Sequence, residues 1–437
     1  MQGNTKLLRH RQQDRLGQVV MAESGKKKRI LIVCQHFWPE SFRINDIADF
    51  LANEKDCEVE VLCGLPNYPS GEITSGYSPF KNRHQTYRSI SIRRALEIPR
   101  GNNSNIRIFL NYVSFPFFSL FHIPRLLTKK YDQIFLYQLS PVMMSFAGLI
   151  VGKIKKIPTT MYVLDLWPEN LYSVLAIKSA FLRKIAAGIS NWHYKKADKL
   201  IALSDTMRTR LIEVTGKPQE NIIVLPQASE KIYETTLSDP TLEKRHKDTF
   251  NIVYTGNISP AQSFGTIVAS AEQIVASGIQ NIRWIIVGDG MSRKSVEALV
   301  KQKKLSDFFI FEGQIPSKEM PKYTSITDVF IGSLSKSELL EATIPAKVMS
   351  YIASGKPIVL SMDGEVQDLI NNKIKCGYAS DAEDVDALTD NIKLLYSQTK
   401  AQREQLGKRA KEYHLKHFER DLLLTRMYDF IFTTSRV

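Results

Sequence analysis

Only four cysteines occur in 437 residues, Cys34, Cys57, Cys63 and Cys376. They show neither metal-ligand spacing nor a paired pattern, which excludes a zinc module or a disulfide scaffold and suits a reducing cytoplasm. Three fall in or beside predicted strands, where a free cysteine serves as a small apolar side chain. The N-terminal stretch is polar and lacks the apolar segment a secretory leader needs. No low-complexity tract is present, and no repeat beyond a twofold α/β rhythm. Acidic residues are outnumbered 45 to 59, so the formal charge is +14. Nucleic-acid fold signatures are missing too, so this basic excess points to an anionic membrane surface rather than to nucleic acid.

What is present suffices for two to three domains with full cores. Residues 1–28 read as a basic, disordered arm, and Met21 is an alternative start. Up to Arg29 the chain holds eight Lys/Arg against Asp14 and Glu23, a large share of the net charge. Arg29 to Cys34 is a continuous apolar strand of the parallel type, QHFWPESFR a loop, Ile44 to Leu51 a helix, and Glu58 to Cys63 the next strand. Strand, loop, helix, strand opens a doubly wound sheet with ligand loops at the strand C-terminal ends. Further strands are predicted at Tyr131–Leu136, Pro158–Leu164, Lys199–Leu203 and Asn221–Leu225, with Ser204 capping a helix. A linker runs from Pro226 to Lys247. The rhythm restarts with strands at Phe250–Thr255, Arg283–Val287, Phe308–Phe311 and Asp328–Ile331. Residues 401–437 read as one long helical tail.

The densest aromatic cluster spans 106–127, with Phe109, Tyr112, Phe115, Phe117, Phe118 and Phe121. Pro116, His122, Pro124 and Arg125 interrupt it too often for a membrane-spanning helix. With Arg93, Arg94, Arg100, Arg107 and Arg125 around it, it reads either as a monotopic membrane contact or as an aromatic core helix.

The most informative stretch is Thr343 to Glu365, TIPAKVMSYIASGKPIVLSMDGE. Thr343 is a predicted cap and Pro345 suits the first turn. Val348 and Ile352 face a core, whereas Lys347, Ser350 and Ser354 fall on a polar face. Gly355 stops the helix in a left-handed conformation, and Ile358 to Met362 is a buried strand. A helix N-terminus beside Lys347 suits an anion such as a diphosphate, and a solvated surface turn fits the same pattern.

PAKVMSYIASGKPIV resembles the donor-binding segment of family 4 glycosyltransferases of the GT-B fold. It is most similar to the bacterial polysaccharide branch that includes fucosamine transferases, through Pro345, Lys347, Tyr351, Ala353, Gly355, Lys356 and Pro357. Asp165-Leu166-Trp167-Pro168-Glu169 resembles that branch's Asp-Leu-Trp-Pro-Glu motif, and LPNYPSGEITSGY its Pro-Asn-Tyr-Pro-x-Gly segment. Two positions depart from the pattern. Ser350 stands where the family has the glutamate expected to hold the donor ribose, and Ala342 where its partner glutamate falls.

The resemblance implies an α/β protein of two doubly wound, Rossmann-like domains facing a cleft. These would be an acceptor domain over 29–226 and a nucleotide-sugar domain over 227–414, with a crossover helix at 415–437 packing back on the first. It implies a retaining, metal-independent transferase without a cofactor, using a nucleotide-diphosphate sugar, UDP-linked, and a lipid-linked or saccharide acceptor for surface polysaccharide, lipopolysaccharide or capsule. The enzyme would sit peripherally on the inner face of the plasma membrane. Donor contacts would come from Gly256, Asn257, Gln262, Gly288, Asp289, Gly290, Gly313, Gln314, Ser350, Gly364 and Glu365. Acceptor contacts would come from Glu40, Arg43, Asn67 and Tyr68. Asp165 and Glu169 would handle the acceptor hydroxyl, though Asp165 also suits a helix cap. Most family members add an Arg/Lys pair after the Gly-Asn loop, but no basic residue occurs between Gly256 and Ala276, which leaves Lys347 as the cation for the diphosphate. The departures keep two alternatives open, a non-catalytic scaffold paralogue and a nucleotide-sugar epimerase of the same fold.

Overall fold

The computed structural model describes residues 26–68, 70–101, 104–174 and 179–433. The basic arm and Met21 lie outside the described residues, apart from its last three residues, Lys26 to Lys28. The chain divides after Met161 into two compact units.

Eight strands form the first sheet: β1 (Arg29–Val33), β2 (Glu58–Cys63), β3 (His84–Tyr87), β4 (Ile90–Arg94), β5 (Gln133–Gln138), β6 (Thr159–Val163), β7 (Lys199–Ala202) and β8 (Ile222–Val224), in the order β3-β4-β2-β1-β5-β6-β7-β8. β1 lies parallel to both β2 and β5, and every residue of β5 and β6 is buried. Burial on both faces is why these strands read as unbroken apolar runs rather than alternating ones. The second sheet holds β9 (Phe250–Thr255), β10 (Ile282–Val287), β11 (Phe309–Gly313), β12 (Val329–Ser333), β13 (Ile358–Ser361) and β14 (Gly377–Ser380), in the order β11-β10-β9-β12-β13-β14. Along β9, Phe250, Ile252 and Tyr254 face one core together with Phe264, Ile267 and Ala271. Val253 faces the other, with Val348, Tyr351 and Ile352. Helices therefore cover both faces, as a doubly wound sheet requires.

Several expectations need correction. The antiparallel β3–β4 hairpin and β14 carry no strong apolar period and were not among the predicted strands; β3 is half exposed at the sheet edge. Pro116, His122 and Pro124 do not break the aromatic segment: helix runs from Asn105 to Thr128, with a short 3-10 turn over Leu120–His122. Among the described residues it is the one helix long and apolar enough to cross a membrane by length and composition. Its inner face buries Tyr112, Phe115 and Leu126, while Ile106, Phe109, Phe117 and Phe121 are exposed. The C-terminal tail is not one helix either. Lys400–Tyr413 ends in a wide turn over His414–Phe418, and Glu419 then caps a second helix, Arg420–Phe432. That last helix reaches β7, where the Lys199 ammonium donates to the Phe430 carbonyl at 2.7 Å. Ser204 caps Asp205–Thr215 as expected, by accepting from Met207 N.

Candidate active site

At the C-terminal ends of β9, β10 and β11 the backbone is drawn into a tight crossing. Gly256 N donates to Val287 O, Gly288 N to Gly313 O and Ile258 N to Asp289 O, each at 2.8–2.9 Å. A Cβ on Gly288 would lie 1.8 Å from Gly256 O, so only glycine fits there. The Gly256 to Ser263 loop is tied down from β12 and the residues after it. Ser333 Oγ donates to Gln262 O, and Ser335 N donates to Ala261 O at 2.9 Å.

Beside this crossing starts the Ala346–Ser354 helix. Thr343 does not cap it: its hydroxyl donates to Leu340 O, and Pro345 occupies the cap position without a side-chain acceptor. Proline cannot offer one, so the first-turn N–H groups are left without a side-chain cap. Tyr351 anchors the helix to β9, its hydroxyl accepting from Thr255 N at 2.9 Å and its ring stacked on Phe330 at 4.3 Å. One turn earlier, the Lys347 ammonium donates to Tyr254 Oη at 2.6 Å and to Gln262 Oε1, and lies 4.2 Å from the centre of the Tyr254 ring. Tyr254 Oη in turn donates to Asn257 O at 2.6 Å. Burial of the Lys347 ammonium lowers its pKa from 10.5 to about 7. Among the described residues no carboxylate forms a salt bridge with it. A part-buried cation held by a phenol and a carboxamide at a glycine loop is arranged to meet an anion.

The predicted donor residues distribute unevenly. Gly256, Asn257, Gln262 and Lys347 come together, and Gly288, Asp289 and Gly290 adjoin them. Asp289 accepts from Gly290 N at 2.7 Å and pairs with Arg293 at 3.3 Å. Arg293 also stands over Gly313, while Gln314 is exposed. Ser350 is buried, its hydroxyl turned back to Ala346 O at 3.4 Å rather than held outward. Gly364 packs on Glu341 O. The Glu365 carboxylate accepts from Asp205 N at 3.1 Å and from Thr206 N, serving the start of the Asp205–Thr215 helix. Asp165 follows β6, and Glu169 is held by Arg210 at 2.7 Å.

In the first unit, Glu40 is buried and accepts from Asn67 N at 2.8 Å and Tyr68 N at 2.7 Å, so it fixes the loop that carries them. The Asn67 side chain donates to Leu65 O and to Glu97. Tyr68 is half exposed beside Phe42 and His36. Arg43 precedes the Ile44–Asp49 helix. Burial raises the Glu97 pKa, and its Oε2 has no hydrogen-bond partner among the described residues. Among the described residues no group of three or more His, Cys, Asp or Glu gathers in metal-binding fashion.

Tyr254, His36, Glu97 and Arg293 were not among the predicted site residues. Only His36 carried a signal, its i,i+4 spacing to Glu40, which the structure closes at 3.1 Å.

Residues 240–413 match the family model described as glycosyl transferases group 1. The chain is 21% identical to WcaI of Escherichia coli (strain K12), assigned as a colanic acid biosynthesis glycosyl transferase, over 84% of this chain and 91% of that protein. It is 22% identical to the 2-deoxystreptamine glucosyltransferase of Streptomyces kanamyceticus, over 63% of this chain and 74% of that protein. Among solved structures, Anabaena HepE in complex with UDP and glucose superposes with a TM-score of 0.67 at 14% identity, covering 92% of this chain and 98% of the other. The fold is that of the GT-B glycosyltransferases, and residues 240–413 resemble the group 1 glycosyl transferases.

Proposed function

We propose that this chain, a GT-B protein resembling the group 1 glycosyl transferases, moves a sugar from a UDP-linked donor to a hydroxyl of a lipid-linked or saccharide acceptor in surface polysaccharide assembly, with retention and without an obligatory metal. One observation carries the reading: Lys347, a desolvated ammonium that among the described residues has no acid salt-bridged to it, at a glycine crossing and an uncapped helix start. When the bond from the sugar's anomeric carbon to the diphosphate breaks, negative charge grows on the diphosphate. Lys347, the first-turn N–H groups and the Gly256 loop are the groups that meet it. The acceptor oxygen forms the new bond to that carbon, and its proton passes to Asp165 or to the departing diphosphate. HepE, crystallised with UDP, supports the choice of base, and WcaI supports the polysaccharide setting. The exposed aromatics of the 105–128 helix, with Arg107 and Arg125, support a membrane-facing enzyme on the inner leaflet.

The group 1 match and the desolvated lysine favour transfer over a scaffold or an epimerase. The test is calorimetric titration with UDP-sugars in EDTA, followed by turnover of wild type and Lys347→Ala. Metal-free binding of a UDP-sugar, and a kcat lowered about a hundredfold or more by K347A, are expected. An unchanged K347A rate rejects the role of Lys347, and no nucleotide binding at millimolar donor rejects the transferase.

A further inference from the structure

The Ala180–Lys196 helix carries a stripe of partly exposed apolar side chains. Phe181 is 71% exposed, Leu182 50%, Ile185 46%, Ile189 37% and Trp192 38%. At about 100° per residue these five fall within an arc of about 100°. The helix's buried side chains, Ala186, Ser190, His193 and Tyr194, fall on the neighbouring arc, so the stripe is a second apolar surface and not the edge of the core contact. Single exposed apolar residues are ordinary, but five in register on one helix mark a contact surface.

The charge around the stripe has one sign. Lys184, Lys195 and Lys196 are exposed, and the helix contains no Asp or Glu. An aromatic residue stands at each end, Phe181 and Trp192. Basic residues with flanking aromatics fit the interface of an anionic bilayer, where apolar side chains enter the acyl boundary and lysines reach phosphate headgroups. A second copy of the chain would have to bring these same cations against each other, which costs energy without an acidic partner.

We propose that the Ala180–Lys196 helix is a membrane-docking surface that seats its Phe181–Trp192 stripe in an anionic leaflet. The proposal deepens the membrane setting of the function above and rests on it for its partner. It differs from the aromatic 105–128 helix in residues, and the two are separable by substitution.

The experiment is co-sedimentation of the full chain with vesicles of phosphatidylcholine alone or with added phosphatidylglycerol. Phe181→Ser/Ile185→Ser and Lys184→Glu/Lys195→Glu are compared with wild type, and UDP-induced thermal stabilisation is followed in parallel. Wild type is expected to bind only the anionic vesicles, and less as salt rises. Each double variant is expected to lose about tenfold or more in partitioning while keeping its response to UDP. Wild-type partitioning by F181S/I185S overturns the proposal. So does a concentration-dependent dimer that this variant abolishes, which would make the stripe a contact between copies. Loss of the UDP response in every protein, with vesicle binding intact, counts against the transferase reading and leaves the docking surface standing.

Discussion

An ammonium enclosed by a phenol and a carboxamide holds its proton weakly, because water no longer stabilises the charge and no carboxylate replaces it. With the Lys347 pKa lowered to about 7, the empty site is half deprotonated near neutrality. A diphosphate favours the charged form, so donor binding above pH 7 takes up a proton. The dissociation constant of a UDP-sugar is expected to rise about tenfold per pH unit above 7, until the pKa of the complex is passed. Calorimetry in buffers of different ionisation heat would register the proton directly, and a flat profile between pH 7 and 9 would contradict it. The sign for stability is opposite. The unfolded chain, with its lysine at the ordinary 10.5, binds more protons between about 7 and 10.5, so the empty fold gains stability as pH rises through that window. Tyr254 shares the cage, joining Lys347, Gln262 and Asn257 O through one hydroxyl. Tyr254→Phe is expected to weaken UDP binding by about tenfold, the net worth of a hydrogen bond to a charged group, with little change in melting temperature. Lys347 was legible in the sequence because its motif surrounds it. Tyr254 was not, because a tyrosine ending an apolar strand looks like any core residue until its hydroxyl is placed.

At the scale of elements, glycines decide where backbone segments cross. Gly288 has φ near 149°, and its Cα faces the Gly256 carbonyl. Gly288→Ala must push β9 from β10 at the very place where the Gly256 to Ser263 loop begins. A loss of about 2–4 kcal/mol is expected in denaturant unfolding, together with loss of UDP binding. Long buried strands were legible within a residue or two, since β9 spans Phe250–Thr255 as its apolar run implies. The β3–β4 hairpin was opaque because half-exposed edge strands need no apolar run. In the aromatic segment a core helix was among the readings, and only the breaks assigned to its prolines were wrong. Proline removes one N–H and crowds the preceding turn, and a helix whose inner face is well packed tolerates that cost. Asn111, Ser114 and Ser119 are buried on this same helix, so its hidden face is partly polar and its outer face aromatic. A pattern of that sense gives no warning of which side is inside.

For the whole molecule, the C-terminal helix is a structural tie as much as a tail. Leu423, Leu424, Met427 and Ile431 are buried, and Lys199 depends on its last carbonyls. Removing residues 419–437 takes away these four buried side chains, worth about 1.5–3 kcal/mol each, and uncovers the surface they pack on. The truncated chain is expected to unfold at lower denaturant and to bind a hydrophobic dye, and an unchanged midpoint would mean the helix is dispensable. The GT-B architecture was legible because two α/β halves and their ordered motifs constrain topology strongly.

Glu365 gives its carboxylate to the first N–H groups of the Asp205–Thr215 helix. A sugar hydroxyl that calls on the same carboxylate must first draw it from that helix, which then loses its counter-charge. Under the proposed donor role of Glu365, that helix would be an internal competitor for the donor. Measured affinity would then be the intrinsic affinity discounted by the fraction of molecules in which Glu365 has let go.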